Sequence, residues 1–137
     1  MRHNSGHAFI RAYFQCHPNT DYQPVLFMVD TGCSTTTLSP DDVARLSINC
    51  TLLRATTANV GTANGIIHPY IFPNPELRLK INYGWFNHKT TFSKLPLDFI
   101  YCIPPPPRGL TYSTIGQDIL RYFRKWIFTD TELILQS

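Results

Sequence analysis

The sequence predicts an all-β fold with one short C-terminal helix, and three observations support this prediction. The 137 residues include 11 prolines and are 13% aromatic, a composition that favours strands and turns over long helices. Several segments are short apolar runs or alternate apolar with polar residues, as strands do. Residues 117–126 are the one stretch in which apolar residues recur convincingly at helical spacing.

Length and composition indicate a single folded domain over residues 1–137. Hydrophobic residues make up 43% of the chain and charged residues 15%, which excludes a disordered protein. The net charge is only +3. One basic cluster, Arg121, Arg124 and Lys125, is interpreted as the solvated face of the predicted helix, because nucleic-acid binding needs a larger positive surface. We therefore expect no nucleic-acid partner.

Targeting signals are not evident in the sequence. No apolar run approaches the ~20 residues of a membrane span, so no membrane partner is expected. The first seven residues lack the apolar core of a signal peptide. On this ground we expect a cytoplasmic protein, unless the chain is a fragment of a larger polyprotein.

The four cysteines are spaced too irregularly for a zinc site. Cys16, Cys33, Cys50 and Cys102 include no Cys-x-x-Cys pair, so neither a metal nor any other cofactor is predicted. Four free and mostly buried thiols are the simpler interpretation, and two disulfides are the alternative.

The N-terminal third predicts a hairpin followed by a short helix. Residues 7–16 alternate loosely between apolar and polar, and residues 23–29 form a second strand after a turn-rich segment. The helix starts at Ser39, which suits the N-cap, with Pro40 in the first turn and Asp42 as a capping-box-like partner. Asp42 is therefore interpreted as a structural acid.

The rest of the chain consists mostly of predicted strands. Asn64-Gly65 is a strong signal for a tight hairpin turn. Further extended segments are predicted at residues 50–60, 66–71, 77–81, 86–97 and 98–103 and, in the C-terminal tail, 126–128 and 132–135. Together with the N-terminal hairpin, these segments supply enough strands for a substantial sheet.

The stretch with the clearest chemistry is the end of the second strand. The apolar run of residues 25–29 ends at Asp30, so this carboxylate leaves a rigid strand at the edge of the core. Thr31 adds a hydroxyl, and Gly32, having no Cβ, lets a substrate or another backbone come close. An acid placed in this way suits acid–base chemistry.

Three pieces in order resemble the retropepsin-like aspartic proteases. The first is Asp30-Thr31-Gly32 after an apolar strand. The second, residues 60–67, is similar to the flap of that family, and the third, residues 113–120, resembles its second signature loop and helix. The resemblance covers roughly residues 22–135. It implies a closed β-barrel of the acid-protease type with one short C-terminal helix.

The resemblance also implies roles for individual residues. Asp30 is the catalytic acid, Thr31 braces the two active-site loops across a dimer axis, and Gly32 is the point where substrate backbone approaches. The flap consists of Val60, Gly61, Thr62, Ala63, Asn64 and Gly65, and the structural second loop includes Ile115, Gly116 and Asp118. The chain departs from the family at Cys33, where Ala or Ser is usual.

One Asp-Thr-Gly per chain predicts a homodimer. Hydrolysis of a peptide bond without a metal or a nucleophilic side chain needs two carboxyl groups around one water. The sequence offers one such acid in the right context, so a twofold dimer is needed to supply both. The expected function is therefore an aspartic endopeptidase that acts on peptide or protein substrates without a cofactor.

Alternative interpretations remain open at this stage. The alternative to an active protease is a catalytically silent, protease-like module for binding or dimerisation. The alternative to a flap at residues 60–67 is an ordinary hairpin. A nucleophilic Asp for phosphoryl transfer is disfavoured because no glycine-rich phosphate loop is present. Asp98, before an apolar strand, is a weaker candidate for a second catalytic acid.

Overall fold

The computed structural model describes residues 8–62, 65–83, 89–106, 112–122, 125–128 and 133–136. Their strands are β1 Phe9–Gln15, β2 Gln23–Val29, β3 Thr37–Leu38, β4 Arg54–Ala55, β5 Val60–Thr62, β6 Gly65–Ile67, β7 Tyr70–Pro73, β8 Glu76–Tyr83, β9 Lys89–Lys94, β10 Phe99–Cys102, β11 Ser113–Ile115, β12 Lys125–Phe128 and β13 Leu133–Gln136. The helices are α1 Pro40–Arg45 and α2 Gln117–Leu120, and a 3-10 turn covers Cys50–Leu52. This mostly β architecture confirms the predicted fold class.

Nine of these strands form one sheet in the order β4-β7-β10-β3-β11-β2-β1-β8-β9. β1 and β2 make the predicted antiparallel hairpin, with Ile10 opposite Phe27. β11 lies between β2 and β3, parallel to the first and antiparallel to the second. The segment that joins β2 to β3, residues 30–36, therefore crosses over the end of β11. This crossing determines where the candidate site lies.

The core forms on one face of the large sheet. In β2, Val25 and Phe27 are fully buried while Leu26 between them is exposed, which is the alternation of a strand with one wet face. The fully buried Leu38, Ile100, Ile115 and Ile119 belong to the same apolar cluster. Each large apolar side chain that is buried stabilises the fold by about 1.5–3 kcal/mol, so this cluster is the main stabilising element.

The capping signals before α1 are confirmed in atomic detail. Ser39 is the N-cap residue, and its Oγ accepts a hydrogen bond from the backbone N–H of Asp42 at 3.2 Å. The Asp42 carboxylate in turn accepts bonds from Arg45 and from the buried hydroxyl of Ser113 on β11. The short helix is thereby tied to the centre of the sheet, and the prediction that Asp42 is structural agrees with these contacts.

Three element predictions were wrong in extent, and the first is the C-terminal helix. The helix predicted at 117–126 ends at Leu120, because residues 125–128 pair as a strand with 133–136. An apolar spacing over a few residues fits either structure, and the hairpin partner decides in favour of the strand. The tail itself contains the two predicted strands, as β12 and β13, and the predicted turn between them lies outside the described residues.

The predicted extended segment 50–60 begins instead with the 3-10 turn. Asn49 caps this turn, since its side-chain oxygen accepts bonds from the backbone N–H and the hydroxyl of Thr51. Such local bonds from an Asn side chain compete with strand pairing. The predicted return strand 66–71 is likewise divided into β6 and β7. Neither α1 nor α2 has the length and apolar character needed to cross a membrane.

Candidate active site

Asp30 lies at the point where the chain leaves β2 and crosses over β11. Its backbone N–H donates to the carbonyl of Ile115, the last residue of β11, at 3.1 Å. The loop turns at once, with the N–H of Cys33 donating to the Asp30 carbonyl at 3.1 Å. The acid is therefore held by the centre of the sheet, and its side chain is half-buried.

The loop also orients the Asp30 carboxylate. Its Oδ1 accepts a hydrogen bond from the backbone N–H of Gly32 at 3.0 Å. A Cβ on Gly32 would lie 3.4 Å from that same oxygen, an ordinary contact. Glycine is therefore not required by packing within the protomer. Thr31 is exposed, and its carbonyl accepts a bond from the side chain of Gln117 at 2.8 Å.

The second loop packs directly beneath the first at Gly116. A Cβ on this residue would lie 2.7 Å from the carbonyl oxygen of Cys33 and 2.9 Å from the backbone nitrogen of Thr35. Real Cβ atoms do not come that close to backbone atoms, so only glycine fits. The next two N–H groups, of Gln117 and Asp118, donate to the carbonyls of Cys33 and Ser34.

Asp118 joins the two loops through its carboxylate. Its oxygens accept bonds from the backbone N–H of Thr36 at 2.8 Å and from the Thr36 hydroxyl at 2.7 Å, and also from the N–H of Ile119 at 2.9 Å. Thr36 is fully buried, so these bonds satisfy polar groups that have no access to water. The structure thus brings the predicted residues Ile115, Gly116 and Asp118 against the loop that carries Asp30.

The predicted flap corresponds to the hairpin of β5 and β6. Val60 pairs with Ile67, and Thr62 pairs with Gly65 at the start of the return strand. Gly65 has a φ of +114°, a conformation that glycine adopts without strain. The predicted flap residues Ala63 and Asn64 lie outside the described residues.

Asp30 and the hairpin border one open cavity of about 320 Å³. Val60 and Gly61 contribute the hairpin side of this cavity, together with the neighbouring Asn59. The opposite side is lined by Asp30, Gly32, Cys33, Ser34, Thr35, Thr37, Tyr101 and Thr114. The sequence-predicted acid and part of the predicted flap thus face the same space, which has room for substrate.

Sequence reasoning missed several residues of this region. Thr36 is the partner of Asp118, and Thr37, Tyr101 and Thr114 line the cavity. The run of threonines after Gly32 indicated that polar side chains enter a central strand, where each needs a hydrogen-bond partner or a functional surface. Its partners lie about 80 positions away, so no local pattern could identify them.

The other described acids have different surroundings. Asp41 is exposed at the start of α1, Asp42 and Asp118 are held by the hydrogen bonds given above, and Glu76 pairs with Arg78 and Lys94. The Arg78 guanidinium beside Glu76 holds the pKa of that carboxyl below its usual range. Asp98 does not line the cavity of Asp30 and borders two separate surface cavities. Asp30 is therefore distinguished from the other described acids by its position.

The structure shows the state of the cysteines and tests the described residues for a metal site. All four cysteines are free, with Cys50 and Cys102 buried and Cys16 and Cys33 partly buried. Within this part of the chain, no group of three or more His, Cys, Asp or Glu residues is arranged to hold a metal ion.

Comparison with known proteins identifies the class. The family model described as aspartyl protease matches residues 18–118, which is well over half of the chain. The chain therefore belongs to the aspartyl protease family, and its fold is retropepsin-like. Among solved structures it is similar to a retropepsin-like aspartic protease from Rickettsia conorii, with 24% sequence identity, a TM-score of 0.55, and coverage of 96% of this chain and 83% of that one. A search of curated proteins gave no match.

Proposed function

We propose that this aspartyl protease is an endopeptidase that acts as a homodimer, with Asp30 of each protomer supplying one carboxyl group to a shared site. The observation that carries the proposal is that Asp30 is the one carboxylate among the described residues lining the cavity. A single carboxylate cannot both accept the proton of the attacking water and polarise the carbonyl group. A second copy of the chain supplies the missing acid.

The chemistry follows from two carboxyl groups in contact. Both cannot be ionised at once, so the pair holds one proton. The ionised carboxylate takes a proton from water as the water oxygen bonds to the peptide carbon, and the protonated partner donates to the carbonyl oxygen. As the tetrahedral intermediate collapses, one of its hydroxyl groups returns a proton to the ionised carboxylate, the C–N bond breaks, and the leaving amine takes the proton of the other carboxyl group, so the pair again holds one proton. No cofactor enters this sequence.

Contacts around Asp30 support the proposed roles of Thr31, Gly32 and the hairpin residues. Thr31 is exposed at the loop end and its carbonyl is fixed by Gln117, so its hydroxyl is available to brace the partner loop. Gly32 has room for a Cβ within the protomer, which leaves approach of the substrate as the reason for a glycine. Val60 and Gly61 border the cavity opposite Asp30, where their backbone faces an extended peptide in the proposed complex.

The decisive experiment uses Asp30→Asn, a nearly isosteric change that removes the charge. The purified variant should fold and dimerise as the wild type does but hydrolyse no peptide. Asp41→Asn is the matched control, because Asp41 is exposed on α1 away from the cavity, and it should keep full activity. If Asp30→Asn hydrolyses peptides at the wild-type rate, Asp30 is not the catalytic acid.

Mixed dimers test the shared site. When wild-type and Asp30→Asn chains are refolded together in equal amounts, about one quarter of dimers carry two intact acids by random pairing. Activity per total chain should then fall to about one quarter of the wild-type value, whereas independent sites would retain about one half. Specific activity should also decline on dilution below the dimer dissociation constant.

The C-terminal hairpin is the proposed part of the dimer interface outside the active site. Among the described strands, β12 and β13 pair only with each other and not with the large sheet. A two-stranded ribbon is marginal by itself and has two open edges that can accept another strand. Deleting residues 132–137 should weaken dimerisation and activity together, with partial recovery at high protein concentration. A truncated chain that dimerises as tightly as the full one would place the interface elsewhere.

A further inference from the structure

The wall of the cavity beside Asp30 is polar, although it is built from the centre of a sheet. Thr114 on β11 lies opposite Thr37 on β3, and Thr37 lies opposite Tyr101 on β10. Cross-strand neighbours point to the same side of a sheet, so these three form one row. All three line the cavity, while their chain neighbours Leu38 and Ile115 are fully buried in the core.

We propose that this hydroxyl row, Thr37, Tyr101 and Thr114, makes the enzyme select substrates with an uncharged, hydrogen-bonding side chain next to the bond that is cleaved. Serine, threonine and asparagine are examples of this class. The inference rests on the proposed proteolytic function. It adds a preference that the family assignment does not contain.

Geometry places a substrate side chain against this row. The carbonyl carbon that is attacked must come within a few ångströms of Asp30, and Asp30 and the hydroxyl row border the same cavity. The side chains flanking the cleaved bond therefore have this wall as a neighbour. A volume of about 320 Å³ admits small and large side chains alike, so the chemistry of the wall decides between them.

The hydrogen bonds already present indicate which groups remain available. The Thr37 hydroxyl donates to the carbonyl of Thr35 at 3.0 Å, and the thiol of Cys33 donates to the same carbonyl at 3.0 Å. The lone pairs of the Thr37 oxygen are left as acceptors. Among the described residues, the Thr114 hydroxyl contacts Cys33 Sγ at 3.9 Å, which is long even for sulfur. A substrate hydroxyl or amide can complete these bonds.

Low exposure leaves the row few water partners. Thr37 is 2% exposed and Thr114 is 6% exposed, so a substrate side chain that covers their hydroxyls displaces the few waters that reach them. Covering a polar group without a replacement hydrogen bond is unfavourable. The described lining carries no cationic side chain and only one carboxylate, Asp30, so an acidic substrate side chain would meet repulsion without a counter-ion.

The test compares peptides identical except at one residue beside the cleaved bond, in particular threonine against its isostere valine. For wild-type enzyme, kcat/KM should be about tenfold higher for threonine, the effect of one buried hydrogen bond. In Thr114→Val the ratio should fall toward one, and in the double variant with Thr37→Val it should invert. Thr57→Val, exposed and outside the cavity, is the control and should keep the wild-type ratio.

A binding measurement separates this inference from the proposed function. Asp30→Asn retains the wall, so its affinity for the threonine peptide should exceed that for the valine peptide, measured by calorimetry at matched concentrations. If cleavage does not depend on Asp30 but the binding preference is observed, the proposed endopeptidase function is wrong and the proposed selectivity of the hydroxyl row is retained. Cleavage with a threonine-to-valine ratio at or below one, or a ratio unchanged in Thr114→Val, would overturn the selective wall alone.

Discussion

Two walls border the cavity of Asp30, and the structure holds them in different ways. The junction wall, where residues 30–36 meet residues 115–118, is fixed by hydrogen bonds between residues 80 to 86 positions apart. The hairpin wall, β5 and β6, forms a two-stranded sheet of its own in the described part of the chain. The acid thus lies on a part of the fold that many long-range hydrogen bonds hold, opposite a hairpin whose two strands pair only with each other among the described residues.

The glycines of the two walls show the same difference. A Cβ on Gly116 would meet backbone atoms at 2.7 and 2.9 Å, whereas a Cβ on Gly61 would meet nothing within 4 Å. Ile66 on the hairpin is 68% exposed. In the proposed function, a rigid support for the acid and a separate element over the cavity would allow a long substrate to enter and then be enclosed.

The largest effect is expected for Gly116→Ala. The added methyl group collides with the backbone of Cys33 and Thr35, which cannot move without shifting the loop of Asp30. We expect a loss of about 3 kcal/mol in the free energy of unfolding, measured by urea denaturation, and loss of peptide cleavage. A variant as stable as wild type would show that the junction wall is adaptable.

A smaller effect is expected for Asp118→Ala. The change leaves the buried N–H and hydroxyl of Thr36 without their acceptor, and at about 1 kcal/mol for each bond we expect a loss of about 2 kcal/mol in the free energy of unfolding. Asp118→Asn keeps one carbonyl oxygen and should lose about half as much. Equal stability of the two variants in thermal or urea unfolding would contradict the bonding pattern.

Oxidation of Cys33 tests the junction wall chemically. Burial raises the pKa of Cys16 to about 11 and also raises the pKa of Cys50 and Cys102. At pH 8 only about 0.1% of a thiol with a pKa of 11 is ionised, so Cys16 should react slowly, and burial disfavours the reactive thiolate of Cys50 and Cys102 in the same direction. Peroxide should lower activity through Cys33, which lines the cavity.

Cys33→Ala is the matched variant for that experiment. It should stay active and lose the sensitivity to peroxide, because the sulfur that would gain polar oxygen atoms beside Asp30 is absent. Mass spectrometry of the peroxide-treated wild type should locate the added oxygen on Cys33. Undiminished sensitivity of the variant would assign the effect to Cys16, Cys50 or Cys102.

The smallest effect on stability is expected for Gly61→Ala. The site is open, and the change should alter the free energy of unfolding by less than about 0.5 kcal/mol. Peptide cleavage should nevertheless decrease, because the proposed flap approaches the substrate here. If stability falls as far as in Gly116→Ala, the two walls do not differ as described.

Local signals in the sequence identified the elements that depend on local physics. The apolar run before Asp30, the alternation of β1 and the cap at Ser39 each act over a few residues, and all three were confirmed. The helix predicted at 117–126 begins where predicted but ends at Leu120, and residues 125–128 pair as a strand with residues 133–136. The position of β11 between β2 and β3 depends on pairing between distant segments. The hydroxyl row results from that position and depends on the same pairing. No window along the chain contains that information.

The crossing of residues 30–36 over β11 also has a consequence for synthesis. Asp30 is made early, but the strand that supports it, the glycine beneath it and the carboxylate that holds its loop all come from residues 113–118. Because these contacts span about 80 positions, they form only after the long intervening segment has closed. Until residues 113–118 have been synthesised, Asp30 therefore has no assembled site around it, and the proposed cleavage of peptides cannot begin.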